Sequence, residues 1–294
     1  IINAGGGELP IAMVQCDGRD LVKAAMEAEQ FPLIHYFGSS AGIGKLLQDT
    51  WDQRLPFVAD GEGNCLAYVD ETSDPAEAAL QLLLGSTRFN GQTCTSVNGA
   101  VIHPSIYDDV LQRTSDLFRS LVCGDPRSPV DVGPLFSEDQ CDLCLQRVAG
   151  SGGFINSGGI AKGFQMSPTI VAKPDFDSEL VTQGIFGPVL WLAPGTAEEF
   201  VKVWRKNRHP LCASYFGSEV EASKLLPKLD NLGRFTVNGD PTIEDPLAPW
   251  GGYAGSGTSP VMNWGAKYVR QVFYDVRKPA AVSATQPPAG RAVG

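Results

Sequence analysis

Basic residues are scarce in this chain of 294 residues: 23 Lys and Arg stand against 33 Asp and Glu, and the formal net charge is −10. Non-specific binding to nucleic acid or to an anionic membrane needs basic patches. No apolar run approaches the roughly 20 residues of a membrane helix. Residues 1–5 show no basic region followed by an apolar stretch, as a signal peptide would. Neither nucleic acid nor a membrane is therefore expected as a partner.

Histidines are few, and the cysteines follow no regular spacing. His35, His103 and His209 are scattered, and each is predicted to be structural. Cys141 and Cys144 form a C-x-x-C, but no second pair and no nearby His completes a zinc site, so no metal is predicted. An odd, irregular set of cysteines suggests free thiols in a reducing compartment, and a cytoplasmic location is expected. The seven stand at positions 16, 65, 94, 123, 141, 144 and 212.

Apolar residues make up 43% of the chain and charged residues 19%, which allows two domains with sizeable cores. Strand patterns alternate with helical ones, and this alternation predicts an α/β fold with a largely parallel sheet. Strands are expected at 32–37 (buried), 55–58, 65–69, 96–102, 167–171, 187–192, 211–216, 234–238 and 269–276. Helices are expected at 21–28, 46–51, 76–84, 104–122, 141–148, 197–205 and 219–229, with a loop-rich stretch at 150–163.

Two glycine-containing stretches follow predicted strands. Residues 38–45 read GSSAGIGK, and strand, glycine loop and helix together can present backbone N–H groups to a phosphate. Many such turns are glycine-rich for packing alone. Residues 59–64 read ADGEGN, in which Asp60 and Glu62 are candidates for a general base. A solvated turn is the commoner reason for such a sequence.

The chain is organised around residues 89–96, FNGQTCTS, where a predicted helix ends and a strand begins. A thiol in a polar turn can be reached and ionised, unlike one in an apolar core. Cys94 is therefore the candidate nucleophile. The alternative is that Cys94 is a small buried apolar residue, as most free cysteines are.

Several motifs, in order, resemble those of the aldehyde dehydrogenase superfamily over roughly residues 30–278. NGQTC at 90–94 resembles the family's nucleophile motif, and GIFGPV at 184–189 its E-I-F-G-P-V. WGGYAGSG at 250–257 resembles P-F-G-G-x-x-x-S-G, and FGSSAGIG at 37–44 resembles F-T-G-S-x-x-x-G. An ordered set of this kind is specific.

The resemblance implies a mechanism for Cys94. Its thiolate attacks an aldehyde to give a thiohemiacetal, hydride passes to NAD or NADP, and a water activated by a carboxylate hydrolyses the thioester. The family holds the oxyanion with the backbone N–H of the Cys and with an Asn side chain.

The resemblance also assigns binding residues. Gly38 and Ser39 would meet the pyrophosphate of the cofactor, and Phe186 would pack near the ribose and nicotinamide. Asn238 and Trp250 would line the substrate side. For Phe186, Asn238 and Trp250, simple packing is the alternative.

The sequence departs from the family pattern at three points. Where the family has the general-base Glu of E-L-G-G, this chain has Asp60, one methylene shorter, and Glu62 substitutes only if the loop shifts. Where the family's Glu holds the nicotinamide ribose, this chain has Gly184. The family's P-W-N-x-P and K-P-x-E segments do not occur, and a preceding segment or a second chain is expected to supply them.

These departures leave two further interpretations beside aldehyde oxidation. One is a non-catalytic relative that serves as a structural or assembly subunit. The other is an acylating member that transfers the acyl group to coenzyme A, although no coenzyme A signature is visible.

The expected domains are the remainder of a Rossmann-type cofactor domain at 1–62 and a catalytic domain at 63–248. A segment at 249–268 returns to the cofactor cleft. An oligomerisation strand at 269–278 would pair with a second copy, because an apolar edge strand needs a partner. A flexible tail is expected at 279–294.

Overall fold

The computed structural model of the chain describes residues 14–28, 34–50, 57–240, 242–243, 249–252, 256 and 262–263. Its first part is a small parallel sheet of two strands, β1 (Ile34–Phe37) and β2 (Phe57–Asp60). Two helices accompany this sheet, α1 (Gly18–Glu27) and α2 (Ser40–Thr50). Val22 and Leu46, from these helices, pack with Ile34 and Tyr36. Together they form a strand–helix–strand unit.

A larger sheet of seven strands forms the rest of the fold, in the order β11-β10-β3-β4-β9-β8-β5. All neighbouring strands are parallel except the pair β5 and β8, which is antiparallel. The remaining strands are β3 (Cys65–Val69), β4 (Val97–Ile102), β5 (Phe154–Ser157), β6 (Ala161–Lys162), β7 (Gln165–Met166), β8 (Thr169–Ala172), β9 (Val189–Pro194), β10 (Cys212–Phe216), β11 (Arg234–Val237), β12 (Pro249–Trp250) and β13 (Met262–Asn263).

Helices cover both faces of the large sheet. They are α3 (Pro75–Thr87), α4 (Tyr107–Ser120), α5 (Glu138–Ala149), α6 (Glu179–Thr182), α7 (Ala197–Lys206) and α8 (Glu219–Leu225). Side chains of β3 alternate between two cores: Leu66 and Tyr68 pack with α5, α7 and α8, whereas Ala67 and Val69 pack with α3 and α4. Because successive strand residues point to opposite faces, a strand buried on both faces is apolar throughout. The expected α/β fold with a largely parallel sheet is confirmed.

The start of α3 follows from its sequence. The side chain of Asp74 accepts hydrogen bonds from the backbone N–H groups of Ala76, at 2.8 Å, and of Glu77, at 3.4 Å. Pro75 is the first helical residue, where its missing N–H costs nothing. Asp74 is thus the N-cap of α3, and the helix expected at 76–84 is confirmed.

Three local expectations are wrong. The glycine stretch after β1 is not a loop to residue 45, because α2 already begins at Ser40. β1 is only half-buried, and the side chain of Phe37 is 56% exposed, since no second layer covers it among the described residues. The stretch 150–163 contains β5, which pairs with β8 and extends the large sheet. That pairing is between distant residues and leaves little local signal.

The predicted strand 269–278 and the tail 279–294 lie outside the described residues, and the expected domain boundaries stay predictions. No helix in the part of the chain that the structure describes is long and apolar enough to cross a membrane.

Candidate active site

The candidate site lies where the small sheet meets the large one. The chain leaves the carboxyl end of β2 at Asp60 and enters the amino end of β3 at Cys65. Cys94 precedes the amino end of β4, the strand beside β3. Ligands of parallel α/β sheets bind beyond the carboxyl ends of strands. The loop 61–64 therefore runs from the carboxyl edge of the small sheet, where ligands bind in such folds, to the amino edge of the large sheet, where Cys94 lies.

Gly63 fixes the position of Cys94. A Cβ atom at residue 63 would overlap the backbone carbonyl oxygen of Cys94 and lie 3.0 Å from the side chain of Leu211. Only a glycine allows this approach. The thiol of Cys65 donates a hydrogen bond to the same carbonyl oxygen at 3.2 Å. Cys94 forms no disulfide and is half-buried in a turn, and so is neither a core residue nor a fully exposed one.

The turn before Cys94 has a strained backbone. Phe89 and Asn90 have φ angles of 52° and 60°, in the left-handed region that non-glycine residues seldom occupy. Asn90 holds the turn: its side chain accepts from the N–H of Gly133 at 2.8 Å and donates to the carbonyl of Pro134 at 3.2 Å. Strain of about 1–3 kcal/mol per residue persists only where the surroundings enforce it. The position of the thiol is thus set by contacts on both sides.

Phe186 lies close to the same turn. The side chain of Gln92 accepts a hydrogen bond from the N–H of Phe136 at 2.9 Å. The rings of Phe136 and Phe186 meet edge to face, with centroids 6.2 Å apart. Phe186 is 39% exposed and Phe136 is 65% exposed. Both rings are therefore open to a ligand, and the cofactor role of Phe186 stays a prediction.

Asp60 and Glu62 are each bound by other side chains. The buried carboxylate of Asp60 pairs with Nε2 of His35 on the neighbouring strand. Glu62 accepts from Ser40 at the start of α2, from Oγ at 2.8 Å and from N at 3.3 Å. Its carboxylate also lies 3.6 Å from Nε2 of His209. The structure thus brings Asp60 to a histidine and Glu62 to a helix end, and their base role stays a prediction.

Gly38 and Ser39 lie at the turn from β1 into α2. The N–H of Gly38 donates to the backbone oxygen of Asp60 at 3.1 Å, and Oγ of Ser39 accepts from the N–H of Gly42 at 3.1 Å. The residue that holds an acidic group at this helix end is Ser40. Ser40 has no distinguishing signal in the sequence, because the glycine stretch hides where the helix begins.

Gly184 has no room for a side chain. Its φ is +74°, and a Cβ would overlap Oδ1 of Asn98 and come within 2.8 Å of Asn64. Asn98 is buried and bonds both backbone groups of Ile185, donating at 2.9 Å and accepting at 3.1 Å. The carbonyl oxygen of Gly184 accepts from Arg147. Position 184 is built for glycine, and its cofactor contact can come only from its backbone.

The two predicted substrate residues are placed differently. Asn238 follows the carboxyl end of β11, whereas Cys94 precedes the amino end of β4. Its amide exchanges two hydrogen bonds with the backbone of Gly217, at 2.8 and 2.9 Å. The substrate role of Asn238 stays a prediction. The backbone of Trp250 pairs with Met262, and Gly251 lies against Gly233, where β11 begins. The side chain of Trp250 is outside the description.

Two thiols that the sequence does not predict lie around Cys94. Cys65 and Cys212 are both 1% exposed and form one apolar cluster with Leu211 and Cys94. Neighbouring strands supply them, and no spacing in the sequence signals that pairing. Cys141 and Cys144, by contrast, lie in α5, where a helix was expected; both are buried, and burial raises the pKa of Cys144 to about 12.

The fold and the site together define an α/β protein with a thiol in a strained turn, beside the loop that joins its two sheets. The model of the aldehyde dehydrogenase family matches residues 3–276, and the chain belongs to that family.

Relatives differ in the substrate that their names give. The phenylacetaldehyde dehydrogenase of Pseudomonas fluorescens is 29% identical over 234 residues, covering 75% of this chain and 46% of its own. The 1-pyrroline-5-carboxylate dehydrogenase of Bacillus mycoides (strain KBAB4) is 34% identical over 146 residues, covering 48% and 28%. The betaine aldehyde dehydrogenase of Staphylococcus aureus, solved in complex with NAD⁺, shares the fold at a TM-score of 0.77 and 20% identity, covering 85% and 52%. This chain spans less than half of the length of the two curated relatives.

Proposed function

We propose that the chain is the thiol-bearing part of an NAD- or NADP-dependent aldehyde dehydrogenase, which oxidises an aldehyde to an acid. The observation that carries the proposal is the turn around Cys94. Its backbone is strained and its position is fixed by Gly63 and Asn90. Strained backbone persists where the surroundings enforce it, often at functional sites. The family membership supplies the reaction type.

Cys94 is the nucleophile in this proposal. Its sulfur adds to the aldehyde carbon to form a thiohemiacetal, which becomes a thioester when hydride is lost and is then hydrolysed. The exposed rings of Phe136 and Phe186 offer an apolar surface on segments that contact the turn of Cys94. The reaction then needs a carboxylate to activate water. Asp60 is the proposed base, and it must exchange its contact with His35 for a water.

The fit of a nicotinamide dinucleotide to the described residues is uneven. The start of α2 already receives an acidic group, the carboxylate of Glu62, through N and Oγ of Ser40. A helix end of this kind suits a pyrophosphate, and Gly38 and Ser39 adjoin it. At the ribose end, Gly184 offers no carboxylate. When bound, the cofactor supplies the hydride acceptor. Cofactor binding at α2 would require Glu62 to move aside.

Replacing Glu62 with glutamine is expected to tighten cofactor binding about two- to fivefold, because an acidic group at a helix start contributes about 0.3–1 kcal/mol. The negative charge that competes with the pyrophosphate is lost, while the amide still accepts from Ser40. Titration of NADH fluorescence or calorimetry measures the dissociation constant.

Glu71→Gln is the matched control for that experiment. Glu71 also lies 3.6 Å from a histidine, His103, but it follows the carboxyl end of β3. The Glu71→Gln variant should bind the cofactor with an unchanged dissociation constant. Weaker binding in Glu62→Gln than in the unmodified chain would show that Glu62 helps to hold the cofactor instead.

A structural or assembly subunit is the second candidate function. Two observations favour it. There is no space at Gly184 for a side chain that binds the ribose, and the carboxylates of Asp60 and Glu62 are both bound by other residues. In that case Cys94 would be inert towards aldehydes.

The test of the proposed function begins with the intact mass of the purified species and its peptide sequence. An assay for NADH or NADPH formation follows, with an arylacetaldehyde, a semialdehyde and an aminoaldehyde as substrates. Reduction of the cofactor would support the dehydrogenase. A species of 294 residues that binds no nicotinamide cofactor and reduces none would favour the structural subunit.

We also propose a homo-oligomer in a reducing, cytoplasmic compartment. Among the described strands, β5 forms one edge of the large sheet, and its Phe154 and Ile155 are 72% and 53% exposed. An apolar edge of this kind favours the addition of a strand.

Removing residues 269–294 is expected to give monomers in sedimentation, whereas removing 279–294 alone should not. A monomer at micromolar concentration before any truncation would contradict the proposal.

A further inference from the structure

Three cysteines meet at one edge of the large sheet. Cys65 and Cys212 each come directly before the residues that pair between β3 and β10, Leu66 with Ala213. On the other side of β3, Cys65 pairs with Val97 of β4, and the turn that holds Cys94 leads into that strand. Strand order therefore places Cys65 between Cys212 and Cys94.

The contacts of Cys65 are with both neighbours. Its Sγ is 3.2 Å from the carbonyl oxygen of Cys94, and its thiol also interacts with that of Cys212. Cys94 packs against the cluster that contains both. Gly63 allows this close packing, since a Cβ at residue 63 would overlap the backbone of Cys94.

The three cysteines differ in exposure. Cys94 is half-buried, whereas Cys65 and Cys212 are each 1% exposed. Burial, then the neighbouring Cys212 thiol, raises the pKa of Cys65 well above its usual range. An oxidant in solution therefore meets Cys94 first, since susceptibility follows thiolate character and exposure. Cys65 remains a reduced, protonated thiol beside it.

We propose that Cys65 is the resolving cysteine of Cys94, and that a hydroperoxide converts the pair into a reversible Cys65–Cys94 disulfide. In the first step the sulfur of Cys94 takes an oxygen atom from the hydroperoxide, which leaves as water or an alcohol, and a sulfenic acid forms. In the second, Sγ of Cys65 attacks that sulfur. The S–S bond forms, the S–O bond breaks, and the proton of Cys65 leaves with the hydroxyl group as water.

The disulfide would protect the sulfur of Cys94 from irreversible oxidation. Without a resolving thiol, a sulfenic acid proceeds to the sulfinic acid, which most proteins cannot reverse. With Cys65 beside it, Cys94 is protected and returns to the thiol on reduction. The proposal needs Cys94 only as an accessible sulfur, so it can hold even if the chain oxidises no aldehyde.

The test uses the reduced, full chain, treated with hydrogen peroxide, quenched with an alkylating reagent and digested without reductant. Mass spectrometry should find a peptide pair linked through Cys65 and Cys94, which disappears with dithiothreitol. In Cys65→Ser the link should be lost, and sulfinic acid at Cys94 should become its main product. Cys212→Ser and Cys123→Ser should both keep the link.

Three outcomes would overturn the proposal. The first is a disulfide from Cys212 to Cys65 or to Cys94 in place of the Cys65–Cys94 disulfide, and the second is no disulfide at all. The third is sulfinic acid that forms at Cys94 as fast in the unmodified chain as in Cys65→Ser. If Cys65→Ser fails to fold, the presence or absence of the Cys65–Cys94 disulfide in the unmodified chain still decides the proposal. A thermal melt of each variant, together with Cys65→Ala, separates lost chemistry from lost structure.

Discussion

Replacing Cys94 with alanine is expected to abolish aldehyde oxidation, with a fall in kcat of at least about 10³-fold, because the covalent intermediate of the proposed mechanism forms on its sulfur. The sulfur lies in a turn whose backbone is held by Asn90 on one side and by Gly63 on the other. Alanine keeps that backbone and removes only the sulfur. The rate of cofactor reduction at saturating aldehyde measures the effect, while binding of NADH should remain unchanged.

Cys123→Ser is the matched control. Cys123 is also a half-buried free thiol, but it lies in the loop after α4, where burial and then Asp131 raise its pKa. Its replacement should leave kcat unchanged. Labelling with iodoacetamide gives a second measurement that needs no aldehyde: Cys94 should react well before Cys144, whose pKa burial raises to about 12. Full activity in Cys94→Ala would contradict the assignment of the nucleophile.

Much of the fold could be predicted because its signals are local. The side chain of Asp74 and the ring of Pro75 fix the start of α3 within one turn. The apolar run 65–69 identified β3, since a strand buried on both faces has no polar side. β5 was missed because only its pairing with β8 makes it a strand, and its own residues are exposed.

The candidate site was less accessible to sequence reasoning, because it is assembled from distant residues. The motif around Cys94 indicated a nucleophile, but Cys65 and Cys212 reach it only through the order of the strands. Glu62 was considered as a base, and the structure shows it bound to Ser40 at the start of α2. A loop of four residues allows several placements of the Glu62 side chain, and its contact with Ser40 joins residues 22 positions apart in the chain.

Replacing Gly184 with glutamate restores the family's ribose-binding residue, and it is expected to lower the free energy of unfolding by about 2–5 kcal/mol without strengthening cofactor binding. Two costs add. A φ of +74° is unfavourable for any residue with a Cβ, and that Cβ would overlap the buried amide of Asn98. Moving Asn98 would break its two bonds to Ile185. Urea unfolding measures the first effect and NADH titration the second.

Two alanine variants separate these costs. Gly152 has nearly the same backbone, with a φ of +70°, but the nearest atom to a Cβ there is 3.4 Å away, in ordinary contact. Gly152→Ala should cost about 1–2 kcal/mol, the left-handed penalty alone, and Gly184→Ala clearly more. A Gly184→Glu chain with unchanged stability and tighter cofactor binding would contradict this account, since it would mean that the loop can rearrange into the family's ribose site. The expected result would instead mean that the buried amide of Asn98 leaves no room for a carboxylate that binds the ribose. A nicotinamide cofactor would then have to be held by the start of α2 and by residues away from Gly184.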